Sequence, residues 1–479
     1  MIALIQKGKI DMQKQADAGL MPKKETNKNI ALLIMCLASF VVPFMGTAIN
    51  LSLPQIGSSF SIGVVSQSWI VTIYLISTAI FQVPFARLAD LVGRKKIFLA
   101  GLIVFGLSTL LCGLSTSSIM LIIMRGLSGL GSAMQFGTSM AILVSLFPPQ
   151  NRGKAIGINT AATYFALSSG PFLGGVITGY FGWRSLFYIV GIYGIIVALF
   201  SIVILKTEWT ESKGGNFDYL GSIIYALGLS GIILGFSKLP DTIGFILLAA
   251  GVIGFVVFVF MELKIEQPVF NVRIFVGNKV FGLSCVSALI NYASTSAITF
   301  MMSLYLQYIR GFSPKNTGMM LIIQAGVQCI VSLYAGRLSD RINPSRIATI
   351  GMGIISASLV GLVFVTPNTD ILFIAFLLFA LGLGFGLFSS PNSNIIMSSV
   401  DKKYYGQASA TMGTMRLTGQ SLSMGIATMV IALFVGDKAV TPELHSSFMK
   451  SFQGLFILFV VLCVVGTYTS SLRVKDRNS

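Results

Sequence analysis

Charged residues are scarce in this sequence. Asp, Glu, Lys and Arg make up 10% of its 479 residues, whereas 54% are hydrophobic, and soluble domains carry about 25% charged residues. This composition excludes a water-soluble protein. Apolar stretches of roughly 20 residues recur between Ile30 and Ser470, and each is long enough to cross a hydrocarbon core of ~30 Å as a helix. The sequence therefore predicts an all-α integral membrane protein.

The patterns that mark catalytic, metal and nucleotide sites are also missing. There is one histidine, His445, no Gly-Lys-Ser/Thr phosphate-binding loop and no ligand cluster with metal spacing. The cysteines are odd in number, which argues against a disulfide framework. All five fall inside apolar runs: Cys36, Cys112, Cys285, Cys329 and Cys463. We expect no enzymatic activity, no cofactor, no metal and an energy source other than ATP.

Basic residues are distributed unevenly between the connecting segments. With the amino terminus placed inside and the sides alternating at each span, 25 of the 33 lysines and arginines fall inside, 6 outside and 2 within spans. This bias follows the positive-inside rule. We therefore expect a multi-pass protein in the lipid bilayer of the cytoplasmic membrane, with both termini cytoplasmic. The net charge of +17 then indicates membrane topology and no nucleic-acid partner.

A short charged turn recurs once in each half of the sequence. Residues 87–90 read Arg-Leu-Ala-Asp, residues 337–340 read Arg-Leu-Ser-Asp, and each turn lies between two long apolar runs. The repeat predicts two six-helix bundles with a pair of helices inserted between them, fourteen transmembrane helices in all. The alternative is twelve spans, with the middle pair on the membrane surface. The predicted segments are a cytoplasmic tail at 1–29, an N-terminal bundle at 30–205, an inserted helix pair with a cytoplasmic linker at 206–278, a C-terminal bundle at 279–470 and a cytoplasmic tail at 471–479.

The first turn carries residues expected to gate the protein. Asp90, Gly93 and Arg94 belong to a basic segment that resembles the inter-span signature of the major facilitator superfamily. The resemblance implies a latch, in which Asp90 pairs with a basic residue or a helix N-terminus in one conformation and separates in another. Asp340 and Arg341 hold the corresponding positions in the second turn. The alternative is an ordinary basic loop on the cytoplasmic side.

Arg125 is a charged residue inside the fourth apolar run. It lies about 9 Å from the outer end of this span at 1.5 Å per residue, where a charge costs several kcal/mol unless it is paired or hydrated. Residues 125–131 resemble the superfamily's Arg-x-x-x-Gly-x-Gly signature, whose Arg is linked to proton transfer. The resemblance implies a coupling role, and because Arg does not give up its proton, that role is to tune a neighbour or hold a water. The alternative is snorkelling to the outer interface.

Residues 170–175, Gly-Pro-Phe-Leu-Gly-Gly, lie in the fifth apolar run. They resemble the Gly-Pro-x-x-Gly-Gly signature that marks exporting antiporters in the superfamily. Pro171 removes a helix hydrogen bond and favours a kink, while Gly170, Gly174 and Gly175 offer a smooth face on which another helix can slide or seal. We expect this antiporter motif to seal the outer half of the protein. The alternative is a kink with no role in direction.

Arg416 lies about nine residues into the thirteenth predicted span, near the bilayer midplane. Snorkelling is difficult from this depth, so the side chain must face a cavity or a partner. We expect either a role in substrate binding or coupling, or a structural hydrogen bond to carbonyl groups. Several amides within spans are further candidates for a substrate cavity, although they could equally bond helix to helix. These are Asn50, Gln135, Asn291, Gln324 and Gln420.

Together these motifs resemble the fourteen-span drug:proton antiporters of the major facilitator superfamily, over the chain from about Ile30 to Ser470. The resemblance implies export of small amphiphilic or anionic compounds across the cytoplasmic membrane by alternating access, in exchange for protons and with no oligomer required. An uncoupled or substrate-exchanging carrier of the same fold is one alternative. A non-transporting membrane sensor is another.

One position departs from that family. An Asp usually precedes the Asn at the end of the first span by five residues, and Met45 stands there. None of the 16 Asp and Glu residues lies deep inside an apolar run, although a carboxylate in a span is the usual proton carrier and the usual anchor for a cation. Its absence disfavours a cationic substrate. It also leaves proton coupling without an obvious carrier, since Asp90 and Glu262 lie only at the ends of runs.

Overall fold

The computed structural model is built from helices. It describes residues 28–147, 149–209, 217–265, 270, 272–339, 341–401 and 405–476, and within these ranges there is no strand. The first 27 residues, which make up most of the predicted amino-terminal tail, lie outside the described residues, as does Asp340 of the second turn.

Fourteen long helices follow one another within the described ranges, and they are numbered here in chain order. The first six are α1 (Lys28–Ala48), α2 (Val64–Val92), α3 (Arg94–Gly113), α4 (Ser118–Leu146), α5 (Pro149–Phe181) and α6 (Trp183–Ile204). The next two are α7 (Tyr219–Lys238) and α8 (Thr242–Glu262). The last six are α9 (Lys279–Ile309), α10 (Pro314–Leu338), α11 (Pro344–Val363), α12 (Ile371–Ser398), α13 (Tyr405–Phe434) and α14 (His445–Asp476). Short helical segments at Ile49–Leu51, Leu53–Phe60, Val272–Gly277 and Pro442–Leu444 lie between them.

Thirteen of these helices are long and apolar enough to cross a membrane, judged by length and composition within the described residues. The remaining long helix is α5, whose 33 residues extend about 50 Å at 1.5 Å per residue. Its sequence is diluted by glycine, serine, threonine and asparagine, and it packs between α1 and α10. Thus α5 is long enough to span the membrane, and its small and polar residues are those expected of a helix that packs against other helices.

The packing of α1–α6 is repeated by α9–α14. In the first set α2 and α3 pack on α4, α1 packs on α5, and α3 packs on α6. The second set has the same pairs with each helix number raised by eight: α10 and α11 on α12, α9 on α13, and α11 on α14. This repetition is expected of a duplicated six-helix unit. The predicted all-α fold of two six-helix bundles is therefore confirmed.

The inserted pair, α7 and α8, forms a hairpin of its own. Its glycines let the two backbones approach closely, because a Cβ at Gly231 of α7 would lie 2.8 Å from the Cα of Gly251 in α8. One side of α7 packs against α2 and α13, whereas α8 exposes large apolar side chains such as Phe245 and Phe260. The pair thus lies outside both bundles, beside one of the junctions between them.

The two bundles meet at two junctions, where α2 packs against α13 and α5 packs against α10. Each junction pairs one helix from each bundle, and the paired helices are antiparallel. We call the end of the molecule that carries Lys28, Asp476 and the α2–α3 turn the terminal face. The end that carries the α1–α2, α9–α10 and α13–α14 connections is the opposite face.

Candidate functional site

The α2–α3 turn forms a compact charged unit on the terminal face. Helix α2 ends at Val92, Gly93 adopts a φ of 130°, and α3 begins at Arg94. Arg94 donates from Nε to Asp90 Oδ1 at 2.7 Å, and from a terminal nitrogen to Ser145 Oγ of α4 at 2.8 Å. In this structure the Asp90–Arg94 pair therefore holds the end of α2 to α4 of its own bundle.

The segment that follows α6 closes over this turn, a contact that the sequence did not indicate. The backbone nitrogen of Lys95 donates to Glu208 Oε1 at 2.9 Å, and that of Arg94 donates to the carbonyl oxygen of Trp209 at 2.9 Å. A Cβ at Gly93 would lie 2.7 Å from the Glu208 side chain, in a φ region that side chains avoid. Glycine is thus required at position 93 by both its backbone angle and its packing.

The second turn is only partly comparable with the first. Asp340 lies outside the described residues, and Arg341 is exposed. The tie to the neighbouring helix is uncharged here, because Asn394 of α12 donates to Ser339 Oγ at 3.0 Å. The structure therefore brings the three predicted gating residues of the first turn together, and it gives Arg341 no side-chain partner in the part of the chain that it describes.

Arg125 is fully buried between α2 and α4. Its Nε donates to the carbonyl oxygen of Ile70 at 3.1 Å, and its Cζ lies 4.2 Å from the centre of the Tyr74 ring. The Tyr74 hydroxyl is in turn 2.8 Å from the hydroxyl of Ser132. The two terminal nitrogens of Arg125 have no hydrogen-bond partner among the described residues. The guanidinium thus lies inside the N-terminal bundle, and its two terminal nitrogens remain available as hydrogen-bond donors.

The antiporter motif contacts two helices at once. Gly170 and Gly174 face α1, where a Cβ at Gly174 would lie 2.7 Å from the Cα of Ala48. Gly175 faces α10 of the other bundle, where a Cβ would lie 2.5 Å from the carbonyl oxygen of Pro314. The contact is mutual, because a Cβ at Gly318 would lie 2.5 Å from the carbonyl oxygen of Pro171. Any larger residue would push these helices apart.

Hydrogen bonds between the two bundles cluster at the opposite face. Ser303 of α9 donates to the carbonyl oxygen of Asn50 at 2.8 Å, and Gln67 of α2 donates to the hydroxyl of Tyr308 at 3.1 Å. Beside them, Asp437 accepts from both the backbone nitrogen and the hydroxyl of Ser66. These bonds join residues 241 or more positions apart, and they hold the opposite face closed.

Arg416 is half-buried on α13 and faces the N-terminal bundle. Its Cζ lies 5.4 Å from the centre of the Phe136 ring on α4, and it interacts electrostatically with Tyr164 of α5 and Tyr292 of α9. All three aromatic residues are themselves half-buried. No described residue forms a hydrogen bond with the Arg416 guanidinium. This group of four residues from both bundles, which we call the central cluster, is the best candidate for a substrate site.

The predicted cavity amides separate into two groups. Asn50, Gln135 and Asn291 are buried within or at the edge of a bundle: Gln135 donates to the carbonyl oxygen of Ala38, and Asn291 Nδ2 lies 3.0 Å from the sulfur of Met352. These contacts are of the helix-to-helix kind that the sequence left open. Gln420, in contrast, is half-buried and lies one turn after Arg416, on the same face of α13. Gln324 is buried on α10.

A fully buried arginine near the terminal face was missed by the sequence analysis. Helix α14 continues to Asp476, through the start of the segment expected to be a tail, and buries Arg473. Arg473 donates to Ser284 Oγ of α9 at 3.1 Å, to Asn392 Oδ1 of α12 and to the hydroxyl of Ser470. These partners are up to 189 positions away, so local sequence gave no sign of them.

Comparison with known families agrees with this architecture. The sequence profile of the Major Facilitator Superfamily matches residues 35–424 and 284–474. The fold and the matched ranges define a multi-pass membrane transporter of small molecules. The chain belongs to the Major Facilitator Superfamily.

Individual relatives cover most of the chain. The riboflavin transporter RibZ of Clostridioides difficile (strain 630) is 28% identical over 430 residues, which cover 89% of this chain and 92% of that protein. The multidrug resistance protein Stp of Mycobacterium tuberculosis (strain CDC 1551 / Oshkosh) is 27% identical over 426 residues, covering 87% and 78%. A solved bacterial homolog of the human lysosomal transporter Spinster, in an inward-facing and unoccupied conformation, aligns with a TM-score of 0.67 at 19% identity. That alignment covers 95% of this chain and 98% of the other, and it shows a shared fold.

Proposed function

We propose that this transporter exports small amphiphilic or anionic compounds from the cytoplasm by alternating access, in exchange for protons. The observation that carries the proposal is the mutual contact of Gly175 with Gly318. It places the antiporter motif at a junction between the bundles, where relative movement must occur. A motif that only kinked α5 would not need a glycine facing α10.

The basic residues support an orientation with the terminal face in the cytoplasm. The opposite face is then external, and the bonds of Asn50, Gln67 and Asp437 to the other bundle close it. With the external face closed by these bonds, substrate would reach the central cluster from the cytoplasm. An exporter needs this state in order to load its substrate.

Opening to the outside requires the reverse set of contacts. The bonds at the opposite face must break, while α2 and α13 close together at the terminal face. Asp90 then exchanges its bond to Arg94 for a partner on the other bundle, as a latch of this kind requires. The Asp90 side chain is 29% exposed, whereas that of Arg94 is only 10% exposed and also donates to Ser145. Arg94 therefore keeps a partner when Asp90 leaves, which lowers the cost of the exchange.

Arg416 supports an anionic or amphiphilic substrate. It is a cation with unused hydrogen-bond donors at mid-depth of α13, and no Asp or Glu lies deep within a span to attract a cation. One relative is named as a riboflavin transporter and another as a multidrug resistance protein, which supports a transporter that accepts substrates of different structure. A mostly apolar site with few polar groups can bind such different substrates.

Proton coupling is assigned to the surroundings of Arg125. The two unpartnered terminal nitrogens can hold a water or an anion whose protonation they tune, since the guanidinium itself keeps its proton. The alternative is a carrier that exchanges substrates without protons. Met45, which stands where the family has an acid, favours that alternative.

Reconstituted vesicles test the proposal. Purified protein in proteoliposomes with an acidic lumen should accumulate riboflavin or naphthalene-2-carboxylate above its external concentration, and a Gly175→Leu variant should not. A substrate exchanger would ignore the proton gradient but respond to unlabelled substrate inside the vesicle. No flux under either condition would contradict export and favour the non-transporting sensor.

A further inference from the structure

Three arginines within the bundles differ in how their guanidinium groups are bonded. Arg473 is bonded to side chains on three helices, and Arg125 has one hydrogen bond and one ring contact. Arg416 contacts the Phe136 ring, lies near Tyr164 and Tyr292, and has no hydrogen-bond partner in the described parts of the chain. A guanidinium has five N–H donors, which form strong hydrogen bonds with an anionic group. The two free nitrogens of Arg125 are buried inside the N-terminal bundle, whereas Arg416 is half-buried between the bundles, so Arg416 is the one that a ligand can reach.

The contact of Arg416 with an aromatic ring leaves its N–H donors free. The guanidinium carbon lies 5.4 Å from the centre of the Phe136 ring, within the range of a cation–π contact. Such a contact is not a hydrogen bond to a carbonyl or carboxylate, so the N–H donors remain available to a ligand. A planar fork of N–H groups matches a carboxylate or phosphate, which it binds with two parallel hydrogen bonds.

Aromatic side chains from both bundles lie near Arg416. Phe136 and Tyr164 come from the N-terminal bundle, whereas Tyr292 comes from the C-terminal bundle, as Arg416 does. Each of the three rings is half-buried, and flat apolar ring faces attract other aromatic rings in offset or edge contacts. A purely aliphatic ligand would gain nothing specific from three rings.

We infer that the central cluster of Arg416, Phe136, Tyr164 and Tyr292 binds planar aromatic anions, with the anionic group on the Arg416 guanidinium and the ring system among the three aromatic side chains. The inference rests on the proposed function, because it names the substrate class of the same transport site. Since two of the four side chains belong to each bundle, such a ligand bridges the bundles. Binding then favours the conformation in which they close around it.

Three matched probes separate charge from planarity. Naphthalene-2-carboxylate is planar and anionic, decahydronaphthalene-2-carboxylate is anionic but not aromatic, and naphthalene-2-carboxamide is aromatic but neutral. Binding of each radiolabelled probe is measured on the purified full-length protein. We expect the wild-type protein to bind naphthalene-2-carboxylate about tenfold more tightly than the carboxamide, since one charge-assisted bond accounts for about that factor. We expect it to bind the decahydro acid about threefold to tenfold more weakly than naphthalene-2-carboxylate, because the saturated probe lacks the aromatic contacts. Equal binding of all three probes, or of none, would overturn the inference.

Two variants assign the effects to residues. Arg416→Gln should weaken binding of naphthalene-2-carboxylate about tenfold and leave the carboxamide unchanged. Phe136→Leu should weaken binding of both naphthalene probes about threefold to tenfold and leave the decahydro acid unchanged, as expected from the loss of an aromatic contact. If Arg416→Gln does not fold, the Phe136→Leu comparison still decides the matter. A loss that is the same for aromatic and saturated probes would contradict the inference.

The controls change the same residue types elsewhere. Arg346→Gln removes an exposed arginine at the start of α11, and Phe376→Leu removes a ring on α12 that is 62% exposed. Neither should alter the affinity for any probe. Selective binding of naphthalene-2-carboxylate without flux in proteoliposomes would support the inferred binding site and contradict the proposed export. Proton-driven flux of other compounds without this selectivity would support export and contradict the inferred binding site.

Discussion

The carboxylate of Asp437 caps the first turn of α2 across the junction between the two bundles. Its Oδ1 accepts from the backbone nitrogen of Ser66 at 3.0 Å and its Oδ2 accepts from the Ser66 hydroxyl at 2.6 Å. The backbone nitrogen of Val64 donates to the carbonyl oxygen of Lys438 at 3.2 Å. A helix cap normally comes from the residue just before the helix, whereas this one comes from the loop after α13. Opening the opposite face must therefore leave the N-terminus of α2 uncapped.

Removing this cap should favour the conformation that is open at the opposite face. A capping side chain contributes about 0.5–2 kcal/mol, so Asp437→Ala should raise the open population about twofold to thirtyfold. Spin labels at the exposed positions Ser58 and Ser446, one on each bundle, would report a longer distance. Cys36 and Cys329, which are half-buried, are replaced beforehand.

A second capping aspartate on the same face provides the control. Asp370 accepts from the backbone nitrogen of Leu372 at 3.0 Å and caps α12 within its own bundle. Asp370→Ala should therefore leave the distance distribution unchanged. If both variants change it alike, or if neither does, Asp437 does not hold the bundles together.

The contact of Gly175 with α10 should tolerate no side chain. Gly175→Ala places a Cβ 2.5 Å from the carbonyl oxygen of Pro314, so that α5 and α10 must separate. Transport should fall at least about tenfold, given the close packing of such helix pairs, while the amount of protein in the membrane stays the same. Gly157→Ala on the same helix meets nothing within 4 Å and should transport normally. Undiminished transport by Gly175→Ala would show that the junction needs no close contact.

Arg473 should matter for stability more than for transport. Arg473→Met leaves Asn392 Oδ1 without its buried donor, which costs about 1–3 kcal/mol, and removes one of the hydrogen bonds of Ser284 Oγ. The melting temperature of the purified protein should fall by several degrees. Arg346→Met, at an exposed site, should change stability by no more than about 0.5 kcal/mol. An unchanged melting temperature for Arg473→Met would mean that the buried network adds nothing to stability.

Asp90 should show the opposite pattern. Arg94 keeps its hydrogen bond to Ser145 when Asp90 is replaced, and an amide oxygen at position 90 can still accept from Arg94 Nε, so Asp90→Asn should lower the melting temperature less than Arg473→Met does. The transport rate should fall several-fold, because the neutral side chain cannot serve as a latch for the closed terminal face. Asp241→Asn, at an exposed position before α8, should affect neither quantity. A rate that falls only in step with the melting temperature would make the role of Asp90 structural.

The sequence was sufficient for the helices and for the repeat because apolar runs and charged turns are local signals. The same holds for Asp90, Gly93 and Arg94, which are close in sequence and meet within one turn. The sequence predicted that Gly175 faces another helix, but it did not predict which helix that is. The contact with Gly318 depends on how two bundles, far apart in sequence, are docked.

The chemistry of the polar residues was much harder to predict. Gln135 and Arg416 are both polar residues within spans, yet one bonds to a neighbouring helix and the other lies half-buried between the bundles. Arg473 follows the last apolar run and looks like part of a tail, but it is buried because α14 continues as a helix. Which face of a helix meets which partner is a tertiary property that spacing alone does not reveal.

Two distances measured in the same protein test the alternating movement of the bundles most directly. Spin labels at Lys96 and Arg346, both exposed on the terminal face, report on one end, and labels at Ser58 and Ser446 report on the other. The distances are measured at different pH values, with and without naphthalene-2-carboxylate, and with and without the Asp437→Ala substitution. We predict that whenever the fraction of molecules with a long distance rises at one face, the fraction with a short distance rises equally at the other. Distances that lengthen together at both faces, or that change at one face alone, would contradict a transporter that opens to each side in turn.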